Sequence, residues 1–107
     1  MNKLLLTACC AALFSSGGAL AADPVAGKEK SKTCAACHGP DGNSQAPDFP
    51  KLAGQHEDYL VKTLNDYKSG ARKNAIMGVQ VQNLSVRDLR DLAEWFSSQQ
   101  SQLYVKR

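Results

Sequence analysis

Cys34-Ala35-Ala36-Cys37-His38 constrains this chain more than any other feature, because C-x-x-C-H is the spacing at which haem is attached covalently to a polypeptide. Cysteines three apart, with a histidine four after the first, project from the same side of one helical turn. Two thiolates are then placed to add to the two vinyl groups of a haem, and the imidazole meets the iron from the same face. A redox dithiol uses C-x-x-C, but it wants a preceding strand and has no need of the histidine. Zinc would recruit Cys34, Cys37, His38 and His56, yet tetrahedral zinc is poorly served by adjacent Cys37 and His38 as simultaneous ligands. One covalent haem c is therefore the expected cofactor.

The first residues have the layout of an export signal: Lys3 supplies the positive start, Leu4 to Phe14 is apolar, and Ala19-Leu20-Ala21 is an A-x-A cleavage site. Residues 1–21 are read as the signal and 22–107 as one domain beginning at Ala22, located in the periplasm. Leu6-Thr7-Ala8-Cys9 resembles a lipoprotein processing site, but far fewer apolar residues precede Cys9 than the ~7 to 15 of a signal core. No stretch approaches the ~20 apolar residues that span a bilayer, so stable membrane insertion is not expected. Removing the signal also removes Cys9 and Cys10. Cys34 and Cys37 are then both used by haem, and no odd thiol is left in an oxidising compartment.

About 86 residues remain, enough for one domain with a marginal core. A covalently held apolar ring at the centre supplies the staple that such a small scaffold needs. The formal net charge of +3 is too mild to argue for nucleic acid. Lys28, Lys30, Lys32, Arg72 and Lys73 are candidates for basic patches around a docking face, against the plainer reading of a solvated surface. Lysines rimming the haem edge would make transfer to a partner slow as salt rises. A monomer is expected.

Three helices are predicted and no run of alternating β-branched residues competes with them. Asp23-Pro24 reads as an N-cap with proline at the first helical position, opening a helix that runs into Cys34. A second runs from about Glu57 to Ser69, with Leu60, Val61, Leu64 and Tyr67 on one face and Gly70 as its stop. Ser85, three before Asp88, starts a third that buries Val86, Leu89, Leu92, Ala93 and Trp95 or Phe96. The fold class is all-α, three or more helices with long loops. Asp41 and Asn43 lack the remaining positions of a calcium loop and read as an ordinary turn. Stretches 46–54 and 70–84 show no strong helical pattern and are read as loops wrapping the planar cofactor.

With His38 on one side of the iron, Met77 is the candidate for the other. It is the one methionine left after the signal and stands in the loop before the last helix. A lone methionine is otherwise core filler. His56, which would give bis-histidine ligation, is the alternative.

The chain resembles the small soluble bacterial class I cytochromes c and is especially similar to a single domain of the tandem dihaem cytochromes of that class. The likeness covers the whole domain. It rests on Gly27, Cys34 to Gly39, Phe49-Pro50-Lys51-Leu52-Ala53-Gly54-Gln55, Gly70-Ala71-Arg72, Met77 and Leu92-Ala93-Glu94-Trp95-Phe96. The resemblance implies that the Pro50 carbonyl accepts the Nδ1 proton of His38, that Gly27 lets the first helix cross closely against Trp95, and that Arg72 meets a haem propionate. The first helix departs from the pattern in lacking the aromatic that many relatives pack beside the glycine.

Two axial ligands leave no open coordination position, so one-electron transfer is what remains, and a thioether favours ferrous iron. The expected function is a non-enzymatic periplasmic electron carrier between a quinol-oxidising complex and a terminal oxidase or reductase. A cytochrome subunit of a dehydrogenase, or a peroxidase-like haem with an open distal side, are the alternatives.

Overall fold

The computed structural model describes residues 21–102, so the export-signal reading, apart from Ala21, lies outside the described residues. Among them the chain is all-helical: α1 (Pro24–Lys30), α2 (Lys32–His38), α3 (Glu57–Ser69), α4 (Ala75–Val81) and α5 (Val86–Ser98). None of these helices is long and apolar enough to cross a membrane.

The caps read from the sequence form as expected. The Asp23 carboxylate accepts the N–H groups of Val25 (2.9 Å) and Ala26 (3.2 Å), with Pro24 opening α1. At α5 the Ser85 hydroxyl accepts the Asp88 N–H (3.0 Å) and the Asp88 carboxylate accepts the Ser85 N–H (2.8 Å), a complete capping box.

Three expectations need correction. The first helix does not run unbroken into Cys34; it divides at Ser31. There the buried Ser31 hydroxyl donates to the Lys28 carbonyl (2.7 Å), a local bond that competes with the helical ladder. Stretch 70–84 is not all loop, because α4 occupies its middle, started by the Asn74 side chain accepting from Ile76 and Met77 N–H. Val86 is not buried but 60% exposed, standing more than a turn ahead of Asp91, where α1 crosses α5.

That crossing is set by Gly27. A Cβ on Gly27 would lie 2.0 Å from the Asp91 carbonyl oxygen and 2.9 Å from Trp95 Cβ, so no other residue permits this approach. Asp91, only 1% exposed, then clamps the seam: its carboxylate accepts the Asp23 N–H (2.8 Å) and pairs with the Lys30 ammonium (2.6 Å). Lys30 also reaches Asp88 (2.8 Å). Leu60 of α3 and Leu92, Ala93 and Phe96 of α5 form the buried core, with Cys34, Leu52, Val61, Leu64, Leu84 and Trp95 packed around it. The core thus reaches the haem motif through Cys34.

Two predictions follow from the seam. Gly27→Ala should cost about 1–3 kcal/mol or more, as an overpacked contact against backbone, whereas Val25→Ala, 72% exposed, should stay within about 0.5 kcal/mol; urea denaturation of the haem-loaded protein measures both. The second concerns acid. Lys30, then the Ser85 N–H, hold the Asp88 carboxyl at about 2, below its ordinary 3.8. Burial of Asp91 works against its ionisation, but Lys30 and the Asp23 N–H outweigh it and keep that carboxyl low too. Because the folded-state values lie below the unfolded ones, this stabilisation is complete above about pH 4 and is lost as pH falls through about 2. The stability difference between wild type and Lys30→Met should therefore be large at neutral pH and shrink towards pH 2. A difference that stays constant with pH contradicts the assignment.

Candidate functional site

α2 places Cys34, Cys37 and His38 on one turn and a half of helix. Both cysteines are half-buried and no disulfide joins them. Burial raises the Cys34 thiol pKa, with a hydrogen bond to Thr33 opposing in part. His38 is buried, and its Nδ1 donates to the Pro50 carbonyl at 2.8 Å. A carbonyl only accepts, so Nδ1 carries the proton and Nε2 presents a lone pair. Phe49 stands edge-on to the imidazole, ring centroids 6.4 Å apart.

The loop that brings Pro50 back to α2 is built by side chain to backbone bonds. The Ser44 hydroxyl shares its one proton between the Ala46 (3.1 Å) and Cys37 (3.3 Å) carbonyls, and the Lys51 ammonium donates to the Ser44 carbonyl (2.8 Å). Asn43, buried, donates to the Gln100 carbonyl (2.9 Å) and accepts the Gln102 N–H (2.8 Å), tying the loop to the segment after α5. At Gly42, with φ +82°, a Cβ would meet Ala53 N and the Phe96 ring, both at 2.8 Å, so the turn needs glycine twice over.

The structure thus joins Cys34, Cys37, His38 and Pro50. Met77 and Arg72 stand on other elements. Met77 is half-buried on α4, its N–H held by Asn74 at 2.9 Å. Val81, one turn on and 1% exposed, marks that side of α4 as the inward one. Arg72 is exposed, its guanidinium 4.9 Å from the centre of the Tyr67 ring. His56 is exposed at the start of α3. Sequence reasoning missed the capping role of Asn74, the anchoring roles of Ser44 and Asn43, and the placing of Phe49 edge-on to His38. Of these, only Asn74, an N-cap residue ahead of an apolar pair, carried a readable signal.

The donor set fits a covalent haem: two cysteines one turn apart, not joined by a disulfide, beside an imidazole whose Nδ1 is taken by Pro50 so that Nε2 is the nitrogen left to meet a metal. Among the described residues no cluster of three or more His, Cys, Asp or Glu stands in the arrangement a bare metal ion takes. The family profile for cytochrome c matches residues 24–100.

The chain belongs to the cytochrome c family. Cytochrome c4 of Pseudomonas aeruginosa is 48% identical over 99 residues, covering 92% of this chain and 49% of that protein. Cytochrome c-554(548) of Halomonas halodenitrificans is 43% identical over 83 residues, 75% of this chain and 100% of that one. The crystal structure of reduced recombinant cytochrome c4 from Pseudomonas stutzeri superimposes with a TM-score of 0.74 at 48% identity, over 78% of this chain and 48% of that chain. The chain spans about half the length of the cytochrome c4 relatives it matches. As a cytochrome c with a single C-x-x-C-H run, it takes one haem c.

Asn74→Ala should remove the cap of α4 and destabilise that helix by about 1 kcal/mol. Amide hydrogen exchange at residues 76–81 should then rise more than in α3 or α5; equal change in all three would show that Asn74 does not hold α4 separately.

Proposed function

We propose that this chain is a non-enzymatic one-electron carrier of the periplasm, working between a quinol-oxidising complex and a terminal oxidase or reductase. Haem c, when bound, supplies the Fe(III)/Fe(II) couple. The chain's own contribution is to hold that couple and close it to other chemistry. Cys34 and Cys37 bind the ring through two thioethers, and His38 presents Nε2 while Pro50 fixes its tautomer and makes it more electron-donating. Met77 is assigned as the second axial ligand and Arg72 as the partner of a propionate. If His38 and Met77 both held the iron, no position would be left for an exogenous ligand, which would separate a carrier from a peroxidase-like enzyme. The observation that carries the reading is the buried His38 locked by Pro50, together with Met77 on the inward side of a helix with its own cap.

Residues 1–21 are assigned as the export signal and 22–107 as the mature domain. In support, Asp23, the second residue of that domain, already caps α1 and bonds Asp91.

Met77→Ala tests the assignment. The oxidised wild type should show the weak near-infrared sulfur-to-iron band, and the ferrous form should resist carbon monoxide. The variant should lose the band, bind carbon monoxide and fall in potential, because the ligand that favours ferrous iron is gone. Ready binding of carbon monoxide by the wild type, or a band that survives the substitution, would overturn the carrier reading and return His56 or an open distal side to consideration.

A further inference from the structure

The stretch from Gly42 to Gly54, which contains Pro50, is moored at both ends to the end of α5 and the segment after it. At its far end the Gly54 N–H donates to the Phe96 carbonyl (3.0 Å). At its near end stands Asn43, only 4% exposed. The chain leaves α5 extended at Gln99 (φ −77°, ψ 145°), and an extended chain turns the carbonyl of one residue and the N–H of the next but one to the same side. There the Asn43 carboxamide does what a neighbouring strand would: Nδ2 donates to the Gln100 carbonyl (2.9 Å) and Oδ1 accepts the Gln102 N–H (2.8 Å). The other Nδ2 hydrogen goes to the Asp41 carboxylate (3.0 Å), which also takes the Asn43 N–H (3.0 Å). With two oxygens against Nδ2 and an N–H against Oδ1, the carboxamide can face only one way.

The residues on either side of Asn43 hold those that follow Pro50. The Gly42 carbonyl accepts the Leu52 and Ala53 N–H groups, and the Ser44 carbonyl accepts the Lys51 ammonium. Asn43 lies between these two anchors, so its clasp on the segment after α5 places both. Through them it places the Pro50 carbonyl, which takes the His38 Nδ1 proton at 2.8 Å.

We propose that Asn43 is a positioning residue for the redox centre: by clasping Gln100 and Gln102 it sets the Pro50 carbonyl against His38 and so holds the reduction potential down. The segment after α5, remote in sequence from the haem motif, thereby becomes a determinant of the potential. The proposal rests on the axial reading of His38 above. A proton held firmly by a carbonyl gives the imidazole more anionic character, and that favours ferric iron. Slackening the contact therefore raises the potential. A merely loosened pocket acts in the opposite sense, because water reaching the cofactor favours the more highly charged ferric state and lowers the potential.

The test compares haem-loaded Asn43→Ala, Gln102→Pro and Gln102→Ala with wild type, by voltammetry and, in the reduced protein, by proton NMR of the His38 Nδ1–H. Asn43→Ala should raise the potential and speed exchange of that proton about fivefold to tenfold, as the loss of roughly one hydrogen bond does, with amide exchange in α3 unchanged. Gln102→Pro removes only the N–H that Oδ1 accepts, so it should move both readouts the same way by less, and it carries the test if the alanine variant fails to fold. Gln102→Ala keeps that N–H and should match wild type. Gln102→Pro added to Asn43→Ala should change nothing further, because both remove the same clasp. A potential that falls or does not move, an Nδ1 proton no easier to exchange, or full additivity of the pair overturns the proposal. In the wild type, His38 ring protons displaced far upfield by the haem ring current support its ligation. Ring protons at their ordinary positions sink the axial reading itself, a result seen before any substitution is made.

Discussion

Everything in this fold hangs on the close crossing of α1 and α5 at Gly27. The backbone of α1 lies against the Asp91 carbonyl with no room for a side chain between them, and α2, with both cysteines and His38, follows directly from α1. The buried Asp91 carboxylate fixes the angle of that crossing by taking the Asp23 N–H and the Lys30 ammonium together. A buried carboxylate is costly unless paired. Here its two short contacts, the Asp23 N–H and the Lys30 ammonium, come from α1 and its N-cap, with Arg87 of α5 farther off at 3.8 Å, so docking of α1 supplies most of what keeps Asp91 ionised.

The second constraint is the return of the chain from α2 to Pro50. The Gly42 carbonyl accepts the N–H groups of Leu52 (2.8 Å) and Ala53 (3.2 Å), closing a loop with no helix or strand of its own. Such a loop is ordinarily mobile. Ser44, Lys51 and Asn43 replace a secondary-structure ladder with individual bonds to main chain, and the consequence reaches the imidazole, whose tautomer depends on where the Pro50 carbonyl sits.

The haem motif, the caps of α1 and α5, and α3 were legible in the sequence because each is a local pattern: a spacing, an Asp-Pro, a Ser85/Asp88 pair, an apolar face of three turns. The Pro50 and Gly27 contacts entered through family resemblance, since nothing local in residues 27 or 50 says what they meet. α4 escaped because seven residues containing Gly78 give too short a period to read, although Asn74 marked its start. The misplaced expectation at Val86 has a similar cause: periodicity assigns a face, but not how far along a helix the neighbour extends. Nor could a lysine count show that Lys30 is spoken for, because its carboxylates, Asp88 and Asp91, stand some sixty positions away.

Ser31 shapes how the haem-bearing segment sits in the whole. With the Ser31 hydroxyl on the Lys28 carbonyl, the helix axis is interrupted between Gly27 and Cys34. Thioether bonds and an iron bond impose their own lengths on α2, and those demands need not match the geometry that Gly27 imposes on α1. The chain therefore meets its two demands with two short helices: Gly27 answers to α5 on the first, and Cys34, Cys37 and His38 stand together on the second.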